Sequence, residues 1–218
     1  MKQKKIRTIL LIALIAVLAF TFTACSDEKA STATVDSFMS ECVDGDFTAA
    51  ARYCSGSDSI KALKEVDSSL SALSGDDFLG TGMKLSDCSK ETRQAYSDFI
   101  KDVKKQMIKS YKLNDDYDDD KKTVSAKVKV LDFDAMDTSN LESKVMKQAE
   151  AYAKKHPDVL TGGSTEKAVA EIVDGIAPDL LKTIKTDYLD NGRTKTMTWK
   201  FTLEKNDDGE MLIKDISE

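Results

Sequence analysis

Between Met197 and Leu203 every second side chain is apolar: Met197, Trp199, Phe201 and Leu203 alternate with Thr198, Lys200 and Thr202. A period of two is that of a strand with one face on a core and the other in water. The run stops at Asp208 and Gly209, a turn pair, and resumes in "EMLIKDI". It therefore predicts a closing antiparallel hairpin. "VSAKVKV" repeats the pattern, with Val124, Ala126, Val128 and Val130 opposite Ser125, Lys127 and Lys129, and Tyr111 and Leu113 across an acidic turn supply its partner strand. Strands that arrive as hairpins, rather than alternating with helices, argue against a parallel α/β sheet. The expectation is an α+β fold in which helices pack on one face of a four-stranded antiparallel sheet.

The rest of the chain has helical periodicity. Val35, Phe38, Met39 and Cys42 lie on one helix face that stops near Gly45, and Asp46 is placed to cap a short helix carrying Phe47, Ala50, Ala51 and Cys54. A third helix is predicted from Asp58 to about Leu73, with Ile60, Leu63, Leu70 and Leu73 as its stripe, ending in the loop "SGDDFLGTG". Ser89 opens a fourth, with Tyr96, Phe99, Ile100, Val103 and Met107 on one side. Residues 138–190 read as a helical block between the hairpins. Ser139 and Glu142 have capping-box spacing, Leu141, Val145, Met146, Ala149 and Tyr152 form a stripe, and "HPDVLTGG" separates them from a second helix or bent pair that passes Pro178.

The N-terminus has the layout of a secretion signal: Lys2, Lys4, Lys5 and Arg7, then seventeen uncharged residues from Thr8 to Ala24, then Cys25. As a helix that stretch reaches only about 26 Å, short of a hydrocarbon core of about 30 Å, so an uncleaved span is the weaker alternative and ordinary secretion a third. Thr23, Ala24 and Cys25 resemble the lipobox of bacterial lipoproteins, with Phe22 where leucine is most common. The resemblance implies cleavage after residue 24, diacylation of Cys25 and a place on the outer face of a cytoplasmic membrane. Residues 25–33 are then expected to be a flexible spacer and 34–218 a single domain. Removing residues 1–24 takes away four basic side chains and no acidic ones, moving the formal charge from −6 to −10. Anionic lipid heads repel such a domain, so two acyl chains must do the holding. The same charge, with Arg52, Arg93 and Arg193 far apart in sequence, argues against nucleic acid as a partner.

"FMSECVDGDFTAAARYC" and "WKFTLEKNDDGEMLIKDI" together resemble a group of Gram-positive lipoproteins of unknown function with a cystatin-like, or nuclear-transport-factor-2-like, domain. The likeness rests on Phe38, Gly45, Asp46, Phe47, Ala50 and Tyr53, and on Trp199, Phe201, Leu203, Gly209, Ile213 and Ile216. It implies helices wrapped by a curved sheet into a cone, here with residues 138–190 inserted between the hairpins. Enzymes of that fold keep an acid or base in the cavity, and Tyr53, Tyr111 and Asp132 are the residues that could take the part.

Against catalysis, the chain has no Ser/His/Asp set and no glycine-rich phosphate loop. Its only histidine, His156, sits in "KKHPD" at a helix end, where a solvated or capping role is ordinary. Asp115, Asp116, Asp118, Asp119 and Asp120 could attract calcium, yet a loop starting at Asp115 lacks the glycine and glutamate that such a site wants, with Asp120 and Ala126 in their places. The ordinary reading is a solvated turn. Cys42, Cys54 and Cys88 remain after acylation of Cys25. Either Cys54 and Cys88 form a disulfide, closing a loop worth about 3.5–4 kcal/mol, or all three are buried free thiols. The functional expectation is a non-catalytic binding or scaffolding module whose partner is a protein or a small apolar ligand, without metal or cofactor. The alternative is an isomerase-like or dehydratase-like enzyme using the cone cavity.

Overall fold

The computed structural model describes residues 27–72, 83–161 and 163–218. The signal, Cys25 and the loop "SGDDFLGTG" lie outside these residues, as do the side chains of Leu70 and Leu73. The sheet is a four-stranded antiparallel meander, β1 (Ile108–Leu113), β2 (Thr123–Leu131), β3 (Thr194–Lys205) and β4 (Met211–Ser217), in spatial order β1-β2-β3-β4. Val124 pairs with Phe201, Ala126 with Trp199 and Val128 with Met197, so the apolar members of both alternating runs share one face. Lys127, Lys129 and Lys200 stand exposed on the other.

Three helices cover the apolar face. α1 (residues 27–44) brings Val35, Phe38, Met39 and Cys42, α2 (Phe47–Ala50) brings Phe47 and Ala50, and α3 (Ser57–Ala72) adds Ile60, Leu63 and Val66. They meet Val124, Ala126, Val128, Phe201, Leu203 and Ile213, and Phe38 and Phe201 touch edge to face with centroids 5.8 Å apart. Gly45 ends α1 at φ +77, a conformation open to glycine, and Asp46 caps α2 by accepting from the Ala49 amide at 2.8 Å.

The polar run after Cys25 is not a spacer. Residues 27–33 are the first two turns of α1, with Asp27 8% and Ser31 0% exposed. Lys205 holds the Asp27 carboxylate at 2.6 Å and Lys122 holds it at 3.3 Å, while the Thr34 hydroxyl donates to the Met211 carbonyl at 3.0 Å. Contacts from distant parts of the chain order a segment that composition alone reads as a tether.

The other three helices build a second core. α4 (Lys90–Met107) and α6 (Thr165–Ile184) enclose Cys88, Tyr96, Ala177 and Leu181, backed by Phe99, Ile100 and Val173, and α5 (Leu141–Lys155) packs on α6. α4 runs into β1 at Ile108 and α6 leads through residues 185–190 to β3 at Thr194, so both join the sheet at the end that also carries Leu131, opposite the two hairpin turns. Ser89 caps α4, accepting from the Thr92 amide at 3.2 Å. Pro178 sits inside α6, where it has no N–H to give the Asp174 carbonyl. The buried Thr92 hydroxyl donates to that carbonyl at 2.9 Å, and the Ser89 amide donates to the Asp174 carboxylate at 2.9 Å. The start of α4 thus docks on the proline position of α6.

Two local expectations fail here. α5 begins after Asn140 with no side-chain cap, and the Ser139 amide instead donates to Asp137, so the spacing of Ser139 and Glu142 is unused. No residue of α5 is fully buried, and Met146 is 55% exposed, because α5 packs mainly on α6. Tyr152 stacks on His156 at 4.3 Å, and a Cβ on Gly175 would fall 2.2 Å from the Tyr152 ring, so glycine lets α5 approach α6 there.

Candidate functional site

A cavity of about 630 Å³ opens between α3 and the covered face of the sheet, at the end nearer α4–α6. Phe38 and Cys42 of α1 and Phe47 of α2 form its inner wall, Ala62, Leu63 and Val66 of α3 one side, and Val130, Leu131, Trp199 and Ile216 the other. The volume lies in the range of small-molecule sites, about 300–1,000 Å³, and the walls are of the apolar and aromatic kind such sites use. The local reason is strand alternation: Val130 and Trp199 face the helices because Lys129 and Lys200 face water.

Charge is confined to the rim. Asp58 starts α3, Phe133 and Asp134 follow β2, Lys195 begins β3 and Asp215 lies on β4. Lys195 lies 3.5 Å from Asp134 and 3.7 Å from Asp132, whereas Asp58 and Asp215 have no ion pair among the described residues. All three lining carboxylates are exposed. The arrangement can hold an apolar body against Trp199 and Leu63 while polar groups stay in water.

The residues singled out as possible acids or bases stand elsewhere. Tyr53 packs against the first core, and the Tyr111 hydroxyl donates to the Asp36 carboxylate at 2.6 Å. Burial, and then the Asp36 carboxylate, push the Tyr111 phenol up to about 12. Asp132 joins β2 to β3, its amide donating to the Arg193 carbonyl at 2.8 Å while its carboxylate faces Lys195. None of the three lines the cavity.

The aspartates of the β1–β2 turn are engaged locally. Asp116 accepts from the Ser125 amide and hydroxyl, Asp118 from the Lys121 amide, and Asp119 pairs with Lys122 at 2.6 Å. Among the described residues no group of three or more His, Cys, Asp and Glu is placed to hold a metal ion, and no helix is long and apolar enough to cross a membrane.

Of the two readings of the cysteines, the structure has the buried free thiols and not the Cys54–Cys88 disulfide. Cys54 and Cys88 are free thiols in different cores, Cys54 beside Ile213 in the first and Cys88 beside Tyr96 in the second. Sequence separation says how large a loop would close, not which core each thiol enters. Cys42 shares the first core with Cys54; burial, with Cys54 and Glu41 nearby, pushes the Cys42 thiol up to about 12, and burial pushes Cys54 to about 11.

Sequence reasoning named Trp199, Leu63 and Ile216 as core residues and missed that they wall a cavity. Asp58 and Ala62 carried no signal beyond their helical positions. No protein-family profile, no curated protein and no solved structure matches the chain.

Proposed function

We propose that this protein is a lipoprotein held by acylated Cys25 on the outer face of a bacterial cytoplasmic membrane, and that its domain is a non-catalytic binding module. In this reading α1–α3 and the sheet are a cystatin-like cone, α5 and α6 are its insertion, and the cavity beneath α3 receives a small apolar molecule. The observation that carries the reading is an open, apolar-walled space whose carboxylates and lysine all sit at its wet rim, the one titratable group of its inner wall being the Cys42 thiol, which burial pushes up to about 12. An enzyme working by proton transfer needs an acid or base desolvated beside the substrate. The carboxylates at this cavity are exposed, and the tyrosines considered for that part lie outside it.

The test is gentle extraction of the full-length protein from native membranes, followed by native mass spectrometry. The expected result is a bound small molecule that disappears in Ala62→Trp, where an indole from exposed Ala62 fills the cavity mouth without entering the core. Recovery of the wild-type protein with no bound molecule refutes the reading. The mass of the N-terminal peptide tests the anchor separately, since Cys25 should carry the diacylglyceryl group.

A further inference from the structure

The geometry points to a fixed stance at the membrane: the two hairpin turns face the bilayer, and the cavity and the α4–α6 layer face away from it. This rests on the acylation of Cys25 proposed above. Asp27 is clamped between Lys205, the last residue of β3, and Lys122, just before β2, with its side chain 12% exposed. Thr34 ties α1 to the same end of the sheet by donating to the Met211 carbonyl at 3.0 Å, and Ser31, between Asp27 and Thr34, is fully buried. Only Ser26 separates Cys25 from Asp27. Two Cα–Cα steps span at most about 7 Å, so the acyl chains must enter the bilayer within that reach of the hairpin end.

The far end follows from strand and helix lengths. Leu131, in the cavity wall, lies eight positions along β2 from Thr123, which is about 27 Å at the rise of an antiparallel strand. Cys42, also in the wall, lies fifteen positions along α1 from Asp27, or about 22 Å at the helical rise. Phe38, the nearest wall residue on α1, lies eleven positions from Asp27, about 16 Å, so the cavity spans roughly 16 to 27 Å from the clamped end. α4 and α6 enclose a core separate from that of the sheet and join the sheet at this same end, and α5 packs on α6. A short tether alone would let the domain tip over. A body of formal charge −10 without residues 1–24 is instead driven off an anionic surface, so the point-anchored domain stands up. A ligand then reaches the cavity from the aqueous side rather than from the lipid, and a protein partner meets the α4–α6 end first.

The experiment uses the full-length lipidated protein in vesicles of phosphatidylcholine and phosphatidylglycerol, with a minority lipid carrying a nitroxide on its headgroup. Trp199 is the single tryptophan, so Trp199→Phe gives a dark background. Into it go two exposed reporters, Asp208→Trp in the β3–β4 turn and Leu160→Trp between α5 and α6. The nitroxide should lower the emission of the Asp208→Trp protein about two-fold, its reporter lying near an anchor with a reach of about 7 Å, and leave the Leu160→Trp protein unchanged. A ten-residue Gly/Ser insertion between Ser26 and Asp27, adding about 17 Å of mean reach, should abolish the difference. Equal quenching of both reporters, stronger quenching of Leu160→Trp, or indifference to the insertion overturns the stance. An N-terminal peptide from the same preparation without a diacylglyceryl group overturns the anchor itself, which separates that failure from a lipidated protein standing otherwise.

Discussion

Thr92→Val tests whether the joint between α4 and α6 is held by the hydrogen bond that Pro178 leaves open. Thr92 is fully buried and its hydroxyl donates to the Asp174 carbonyl at 2.9 Å. Valine keeps the shape and removes the donor, leaving a carbonyl that the helix cannot satisfy because Pro178 has no N–H. A buried acceptor left unpaired costs about 1–3 kcal/mol. Pro178→Ala restores an amide four residues after Asp174, so in that background Thr92→Val should cost little. The coupling between the two substitutions is expected at about 1–2 kcal/mol, within the range for residues that share a partner. Equilibrium urea unfolding of the four proteins, followed by far-UV circular dichroism, measures it, and amide exchange in α6 locates it. Effects of Pro178→Ala on the unfolded chain occur in both arms and cancel. Additivity to within about 0.5 kcal/mol would show that the hydroxyl is not standing in for the missing amide.

Gly45→Ala should destabilise by more than about 2 kcal/mol and lower the thermal midpoint by about 4–8 °C, since a left-handed residue with a side chain costs about 1–2 kcal/mol before any contact. The new Cβ would also fall 2.9 Å from the backbone of Lys104 and Lys105, so a change under 1 °C in differential scanning calorimetry rules that packing out. For Asp27, the Lys205 hydrogen bond, with Lys122 behind it, holds the carboxyl below its usual range. Its stabilising effect is therefore present above the unfolded value of about 3.9 and lost as pH falls through the folded one. Amide protection in the first turns of α1 should drop below about pH 4, and Asp27→Asn should lack that acid step while being looser at neutral pH; the same acid step in both proteins rejects the clamp. With Cys42 near 12 and Cys54 near 11, a native-state alkylating agent at pH 8 meets almost no thiolate, so both should label only as the protein unfolds. Fast labelling of Cys42 in the folded protein would contradict its burial.

Local chemistry was legible wherever one element decides its own form. The alternation of Val124–Val130 and Met197–Leu203 gave two strands and the buried face of each, because a one-residue slip would bury Lys127, Lys129 and Lys200, whereas which residues of β2 and β3 face one another is settled only by the folded sheet. Asp46 and Ser89 cap helices because a side-chain oxygen three residues before an amide needs nothing further away. What failed required knowing who meets whom. The stripe of α4 is real, yet Tyr96, Phe99 and Ile100 enter one core and Met107 the other, since periodicity names a face and not its neighbour. Asp27 and Ser31 read as solvated because the lysine that holds Asp27 most closely lies 178 residues further along the chain.

That mistake also bears most on function. A flexible spacer of nine residues would let the domain sample any orientation above a bilayer, with a mean reach of about 15–18 Å. With Cys25 acylated as proposed, a helix pinned two residues after it would not. In the stance proposed above, Asp27, Lys122 and Lys205 do more than finish a helix: they place the proposed lipid attachment at the end of the sheet away from the cavity, and the charge of the body then sets its tilt. The acidic β1–β2 turn fits the same proposed geometry. Asp118 and Asp119 hold Lys121 and Lys122 in place, and in that stance the exposed Asp115 and Asp120 would keep the end of the sheet from adhering to anionic headgroups within a Debye length of about 8 Å. A charge run that looks like mere solubility in sequence would, next to the proposed anchor, hold the domain off the surface.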